Sequence, residues 1–215
     1  MMAEAIDKAA QVEKLCQKAQ PCIACDLHLR RTNVVFGEGN PLSPLVIVGE
    51  GPGENEDKTG RPFVGRAGVL LDECLRECGM LRKHVYITNV VRCRAADPDE
   101  TGRMKNRPPT SQESATCINL WLEPTLAVIQ PLVILCLGAP SANAIIHKGF
   151  KMMQERGTFF PTKYGRYAIA GLHPAYILRQ QGEAFDSARA SLVADIETAR
   201  KKVIEAKKEP PATLF

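Results

Sequence analysis

The chain has 215 residues with a formal net charge of +4, 45% apolar and 24% charged residues, the proportions of a protein with a packed core rather than a disordered chain. The longest apolar run, Leu132 to Leu137, is far shorter than the ~20 residues that cross a bilayer, and the first residues lack the basic-then-apolar pattern of a signal peptide, so a cytoplasmic protein is expected. The modest positive charge permits a nucleic-acid partner, while 6% aromatic residues argue against a long base-stacking platform.

A helix is expected from Glu4 to Lys18, broken by Pro21-Cys22-Ile23-Ala24-Cys25. Leu45 to Val48 is a short β-branched run ending at Gly49 and reads as a buried parallel strand. A polar, glycine-rich loop from Glu50 to Gly65 follows. Leu70, Leu71, Cys74, Leu75 and Cys78 then recur at helical spacing until Gly79 stops them. His84 to Thr88 is a second strand, and Arg92 to Pro109 a long basic loop.

Thr110 or Ser111 caps a helix running to about Gln130, with Glu113 placed for a capping box. Leu132 to Leu137 is a third strand and Ala139 to His147 a helix. Thr158 to Phe160 and Tyr167 to Ala170 flank a turn. Leu192, Val193, Ile196, Val203 and Ile204 share one face of a last helix, ended by Pro210-Pro211. Strands alternating with helices imply an α/β fold with a mostly parallel sheet covered on both faces. Residues 1–209 read as a single domain and 210–215 as a flexible tail. Ligands of such folds bind beyond the carboxyl ends of the strands, where the loops after Val48, Thr88 and Ala170 converge.

Eight cysteines are many for a reducing compartment. Cys74, Cys78 and Cys136 lie on apolar faces and read as core thiols, while Cys16 is ambiguous. Cys22 and Cys25 form a Cys-x-x-Cys pair in a loop, and Cys93 and Cys117 sit at element ends. Four such thiolates suit an iron–sulfur cluster or structural zinc, although spacing alone does not identify the partners of the pair. A redox pair should follow a strand and open a helix, which this one does not.

In the loop after the first strand, Lys58-Thr59 invites comparison with a phosphate-binding loop. The glycines that motif requires are replaced by Asp57 and Pro52, and three nearby carboxylates would repel a phosphate. A solvated turn accounts for the charges but not for Phe63, between Pro62 and Val64 in polar sequence.

The segments GEGPGENEDKTGRPFVGRAG, ITNVVRC and GLHPAYILR together resemble the family 4 uracil-DNA glycosylases, an iron–sulfur class of DNA repair enzymes, over nearly the whole chain. The resemblance implies a three-layer α/β/α sandwich with a four-stranded, mostly parallel sheet, and a 4Fe–4S cluster on Cys22, Cys25, Cys93 and Cys117. It also implies base-excision repair: uracil leaves the stack of single- or double-stranded DNA, its glycosidic bond is hydrolysed, and an abasic site remains. Gly51, Phe63, Asn89 and His173 would bind the base. Phe63 would stack, the Asn89 amide would read O4 and N3–H, and His173 would donate to O2.

Glu50 and Glu56 would join His173 in catalysis by orienting water and offsetting charge on the sugar, with Asp57 in support. Arg179 would grip phosphate, and Tyr176 or Ile177 would wedge the duplex. Arg103, Lys105 and Arg107 of the basic loop are expected on DNA. Ala95 to Arg103 looks inserted relative to the family pattern; the loop has no histidine of the kind carried by a covalently trapping branch, so turnover is expected.

The competing readings are a noncatalytic iron–sulfur DNA-binding module that recruits replication proteins, and a zinc-stabilised hydrolase of a nucleoside or small molecule. A monomer is expected. The terminal Leu214-Phe215 loosely resembles peptides that dock on sliding clamps.

Overall fold

A computed structural model describes residues 2–209 of the chain; the tail read as a clamp ligand, Pro210 to Phe215, lies outside the described residues. In chain order the elements are α1 (Met2–Ala19), a 3₁₀ turn (Asp26–Leu29), β1 (Glu38–Gly39), β2 (Leu45–Gly49), α2 (Glu54–Thr59) and α3 (Arg66–Glu77). A second 3₁₀ turn (Arg82–His84) leads into β3 (Tyr86–Asn89), and a hairpin of β4 (Ala96–Pro98) and β5 (Met104–Asn106) precedes α4 (Ser111–Cys117). A π-helical turn (Ile118–Leu122) joins α4 to α5 (Glu123–Ile129). The remainder is β6 (Val133–Leu137), α6 (Ala139–Ile145), α7 (Met152–Glu155), β7 (Phe159–Thr162), β8 (Gly165–Gly171), α8 (Pro174–Ile177) and α9 (Gly182–Ala206).

The sheet has the order β1-β3-β2-β6-β8-β7. Its inner four strands are parallel, as expected, and the short edge strands β1 and β7 pair antiparallel to them. Every residue of β2 and β6 is buried, which is why both strands read as unbroken apolar runs. Alternate residues feed two cores. Val46, Val48, Ile134 and Cys136 pack with Val12 of α1, Leu126 of α5 and Ala142 of α6. Leu45, Ile47, Leu135 and Leu137 pack with Leu71 and Cys74 of α3 and Leu192 and Ile196 of α9. Each fully buried aliphatic side chain contributes about 1.5–3 kcal/mol, so the two cores hold the three layers together.

The helix of α3 ends where Gly79 adopts φ +70°, and Met80 N–H then reaches back to the Leu75 carbonyl at 2.9 Å. The helix expected from Ser111 to Gln130 forms, with Thr110 and Glu113 making the reciprocal cap, but it widens into a π turn directly after Cys117. Pro124, which has no amide hydrogen for the preceding turn, lies just beyond.

Two stretches read as loops contain regular structure. The glycine-rich loop encloses α2, a polar six-residue helix without an apolar stripe to announce it. The basic loop folds back on itself as the β4–β5 hairpin, which includes most of the stretch Ala95 to Arg103.

Candidate active site and cysteine pocket

The register that places Gly49 of β2 beside Asn89 of β3 brings the ends of both strands into one cleft of about 520 Å³. The loops after β2, β3 and β8 line it, together with Asn106 and Arg107 from the hairpin side. Gly49 has to be glycine, because a Cβ there would run into both the Asn89 amide and the Phe63 ring.

Phe63 is buried and holds φ +52°, a left-handed backbone rare for a bulky residue. Its ring lies 5.8 Å from the His173 ring at an interplanar angle of 31°. Asn89 is 1% exposed, and its Oδ1 is a buried acceptor without a partner among the described residues. A polar atom left so costs about 1–3 kcal/mol unless a ligand completes it.

His173 caps α8, and its Nδ1 accepts the Ala175 N–H at 3.0 Å. The neutral ring therefore carries its proton on Nε2. Burial, with the nearby Arg179 charge, lowers the His173 pKa to about 4 against the opposing pull of Glu56, so the ring is a neutral donor at physiological pH.

The two glutamates differ. Burial raises the Glu50 pKa, and its carboxylate has no side-chain partner among the described residues. Glu56 is spent on the backbone: Oε1 accepts from Val64 N–H at 2.9 Å and Gly65 N–H at 2.8 Å, and Oε2 from Gly53 N–H at 3.1 Å. Its carboxylate thus ties both ends of the loop around α2. Asp57 likewise holds backbone farther from the cleft, accepting from Thr32 N–H at 2.9 Å and Asn33 N–H at 3.2 Å. Gly51 lines the cleft with bare backbone, where a Cβ would meet the Val91 side chain.

The basic loop separates into unequal groups. Arg92 is fully buried, not on the surface. Arg94 is paired with Asn106 Oδ1 at 2.7 Å and with Glu54. Arg107 grips Glu113 through both terminal nitrogens, at 2.8 and 2.7 Å, and Asp97 through Nε at 2.8 Å, so its donors are already taken. Only Arg103 and Lys105 of this group stand exposed and without a carboxylate partner among the described residues. Across the cleft, Tyr176 and Arg179 are exposed, whereas Ile177 is completely buried and cannot act as a wedge.

Cys22, Cys25, Cys93 and Cys117 line a single pocket, with Ala19, Leu27, Val34 and Trp121 as apolar walls. Three of the four sulfurs accept hydrogen bonds, Cys93 from Arg31 at 3.3 Å, Cys22 from Trp121 Nε1 at 3.4 Å and Cys117 from Arg92 N–H at 3.3 Å. Burial raises the Cys93 pKa to about 11 and also raises that of Cys117. As free thiols these groups stay protonated, so coordination to a metal is what would ionise them. Among the described residues, no three His, Cys, Asp or Glu side chains converge closely enough for one metal ion. Cys74, Cys78 and Cys136 are core thiols, as read from their spacing.

Arg92 also borders this pocket. Its guanidinium lies 4.9 Å over the Phe36 ring, donates to the Asn89 carbonyl at 2.9 Å, and leaves Nε without a partner. No carboxylate neutralises it among the described residues. Neither Arg92 nor Arg31 could be assigned to the pocket from sequence, because surface and buried arginines look alike there. The same is true of Arg82, whose guanidinium bonds the carbonyls of Pro62 and Phe63.

Residues 36–197 match the family model of the uracil DNA glycosylase superfamily. The chain is 44% identical to a type-4 uracil-DNA glycosylase of Thermotoga maritima over 88% of its own length and 93% of the relative's. A type-4 uracil-DNA glycosylase of Archaeoglobus fulgidus is 36% identical, over 95% of this chain and 97% of the relative. One from Sulfurisphaera tokodaii is 39% identical over 78% of this chain and 76% of its own. A superfamily match across most of the sheet, joined to near full-length identity of this order, makes the assignment: the chain belongs to the type-4 uracil-DNA glycosylases.

Proposed function

We infer that the cleft excises uracil from DNA, leaving an abasic site. The observation that carries the residue-level reading is the buried, unpartnered Asn89 Oδ1 beside the Phe63 and His173 rings. Flipped uracil stacks on Phe63, gives its N3–H to Asn89 Oδ1 and takes the Asn89 amide N–H at O4. His173 Nε2–H donates to O2, where negative charge gathers as the C1′–N1 bond breaks and its electron pair leaves with the base. One such donor is worth about 3–4 kcal/mol in the transition state.

Glu50 takes up a proton from the attacking water as the new C1′–O bond forms. Its raised pKa suits a base that must keep its proton until solvent removes it. Glu56 acts through the loop it ties together and is a positioning residue. Arg103, Lys105 and Arg179 hold backbone phosphates, and Tyr176 fills the gap left by the base.

Cys22, Cys25, Cys93 and Cys117 fit a 4Fe–4S cluster better than zinc. A single zinc ion draws its sulfurs to ~2.3 Å from one point, whereas a cluster carries its own inorganic core between ligands set farther apart. The unpaired Arg92 cation supports metal-bound thiolates in this pocket, whichever group they hold, because four of them would supply the missing negative charge. Held by these four cysteines, a cluster would have a structural role, tying the segment before β1 to the start of the basic loop and to α4.

Release of free uracil from a uracil-containing oligonucleotide, but not from deoxyuridine, tests the activity. Equal hydrolysis of the nucleoside would overturn it. The clamp-binding tail remains a separate proposal, tested by clamp pull-down with and without Leu214-Phe215.

A further inference from the structure

The Phe63 backbone has an energetic problem that its own sequence does not solve. An L-residue with a large side chain resists a left-handed φ of +52°, and nothing in the residue itself offsets that cost. Two outside contacts hold it. Gly68 packs so close that a Cβ there would overlap the Phe63 carbonyl. Arg82, at the turn before β3, donates through Nη1 to that carbonyl at 3.0 Å and through Nη2 to the Pro62 carbonyl.

Arg82 is itself held. Nε donates to Glu38 at 2.8 Å, Nη1 also reaches Asp72 of α3 at 3.1 Å, and only 18% of its side chain is exposed. Burial alone would push the Glu38 pKa up; hydrogen bonds from Arg61 and Arg82 outweigh it and hold the group below the ordinary carboxylate range. Glu38 on the edge strand, Asp72 on α3 and the two carbonyls thus fix the guanidinium from three separate elements.

We propose that Arg82 is a positioning residue for the base-stacking surface: by fixing the Pro62 and Phe63 carbonyls, it sets where the Phe63 ring stands over the uracil site. The proposal rests on Phe63 being that surface. Freed from Arg82, the peptide between Pro62 and Phe63 can rotate towards an ordinary backbone conformation, which would move the ring away from His173.

Inhibition by free uracil reads the pocket directly and can be compared with KM, kcat and thermal midpoint in Arg82→Gln, Arg82→Lys, Phe63→Ala and the double variant Phe63→Ala/Arg82→Gln. Arg156→Gln serves as the control, since Arg156 clamps the buried Asp195 at 2.9 and 3.0 Å and does not line the cleft. Arg82→Gln should raise the uracil inhibition constant and KM about tenfold, the scale of one stacked base, with kcat changed less. Arg82→Lys, which keeps the charge but not the planar fork of donors, should fall between it and wild type. Arg156→Gln should lower the thermal midpoint and leave uracil inhibition unchanged. Adding Arg82→Gln to Phe63→Ala should cost nothing more. Wild-type uracil inhibition in folded Arg82→Gln or Arg82→Lys, or additive losses in the double variant, would overturn the role of Arg82 while sparing that of Phe63. Wild-type inhibition in Phe63→Ala would overturn both.

Discussion

Arg92 Nη1, sealed in the interior, donates to the main-chain carbonyl of Asn89 at 2.9 Å, while the Arg92 main-chain N–H donates to Cys117 Sγ at 3.3 Å. One residue therefore touches both Asn89, in the cleft, and the cysteine pocket. Burial lowers the Arg92 pKa, the mark of a cation without enough compensating charge nearby. If four ligated thiolates provide that charge, Arg92→Met should lose iron faster than wild type under chelator challenge, measured as iron per chain. Equal or better iron retention would show that the pocket does not need the cation.

The same pocket predicts a contrast among cysteines. Cys93→Ala should lose iron and solubility together, because Cys93 is the one pocket cysteine at the start of the basic loop and its loss would release that segment from the others. Cys74→Ala and Cys136→Ala should keep full iron and lose only packing, about 1–3 kcal/mol for a small buried group. Iron loss in either of the last two would overturn the ligand assignment.

If Asn89 reads the base, Asn89→Asp removes the donor facing uracil O4 and puts an acceptor in its place at a buried position. The penalty is about 1–3 kcal/mol, and more if the new carboxyl is ionised. The variant should lose at least about tenfold on uracil, with selectivity shifting towards cytosine, whose amino group suits an acceptor. Excision from matched single strands, with Asn89→Ala as control, measures it. Wild-type activity in Asn89→Asp would mean that the base is read elsewhere.

The unequal arginines of the hairpin region make a fourth test. Neutralising Arg103 and Lys105 together should weaken binding to all sequences alike and reduce the slope of log affinity against log salt by about 1–2. Arg107→Gln should leave that slope in place and instead destabilise the fold by about 1–3 kcal/mol, because it strips Glu113 of its charged partner. A salt slope that falls in Arg107→Gln and not in the double variant would reverse the assignment.

Two titrations set the pH dependence. The folded His173 pKa is about 4 against an ordinary 6.5, so between those values the unfolded chain binds a proton that the native state refuses. Stability should therefore fall as pH drops from 6.5 towards 4, and His173→Gln should remove that share of the loss. The acid limb of kcat/KM should follow Glu50, above the ordinary carboxylate range, and should vanish in Glu50→Gln while residual activity remains. An acid limb unchanged in Glu50→Gln would remove Glu50 as the base.

The inner strands, the covering helices and their two cores were legible in the sequence, because burial on both faces leaves unbroken runs such as Val133 to Leu137 and burial on one face leaves the helical spacing of Leu70, Leu71, Cys74 and Leu75. The edge strand β1, two residues long, and the polar helix α2 left no such trace; neighbours rather than composition make them. The motif residues Phe63, Asn89 and His173 could be named because the segments that carry them resemble those of the family. That Glu56 spends its carboxylate on three backbone amides, that Arg107 is locked while Arg103 has no carboxylate partner among the described residues, and that Arg82 and Arg92 bond the carbonyls of Pro62, Phe63 and Asn89 could not. Side-chain identity states what a charge is, and only the fold decides which partner reaches it and whether water is left to compete.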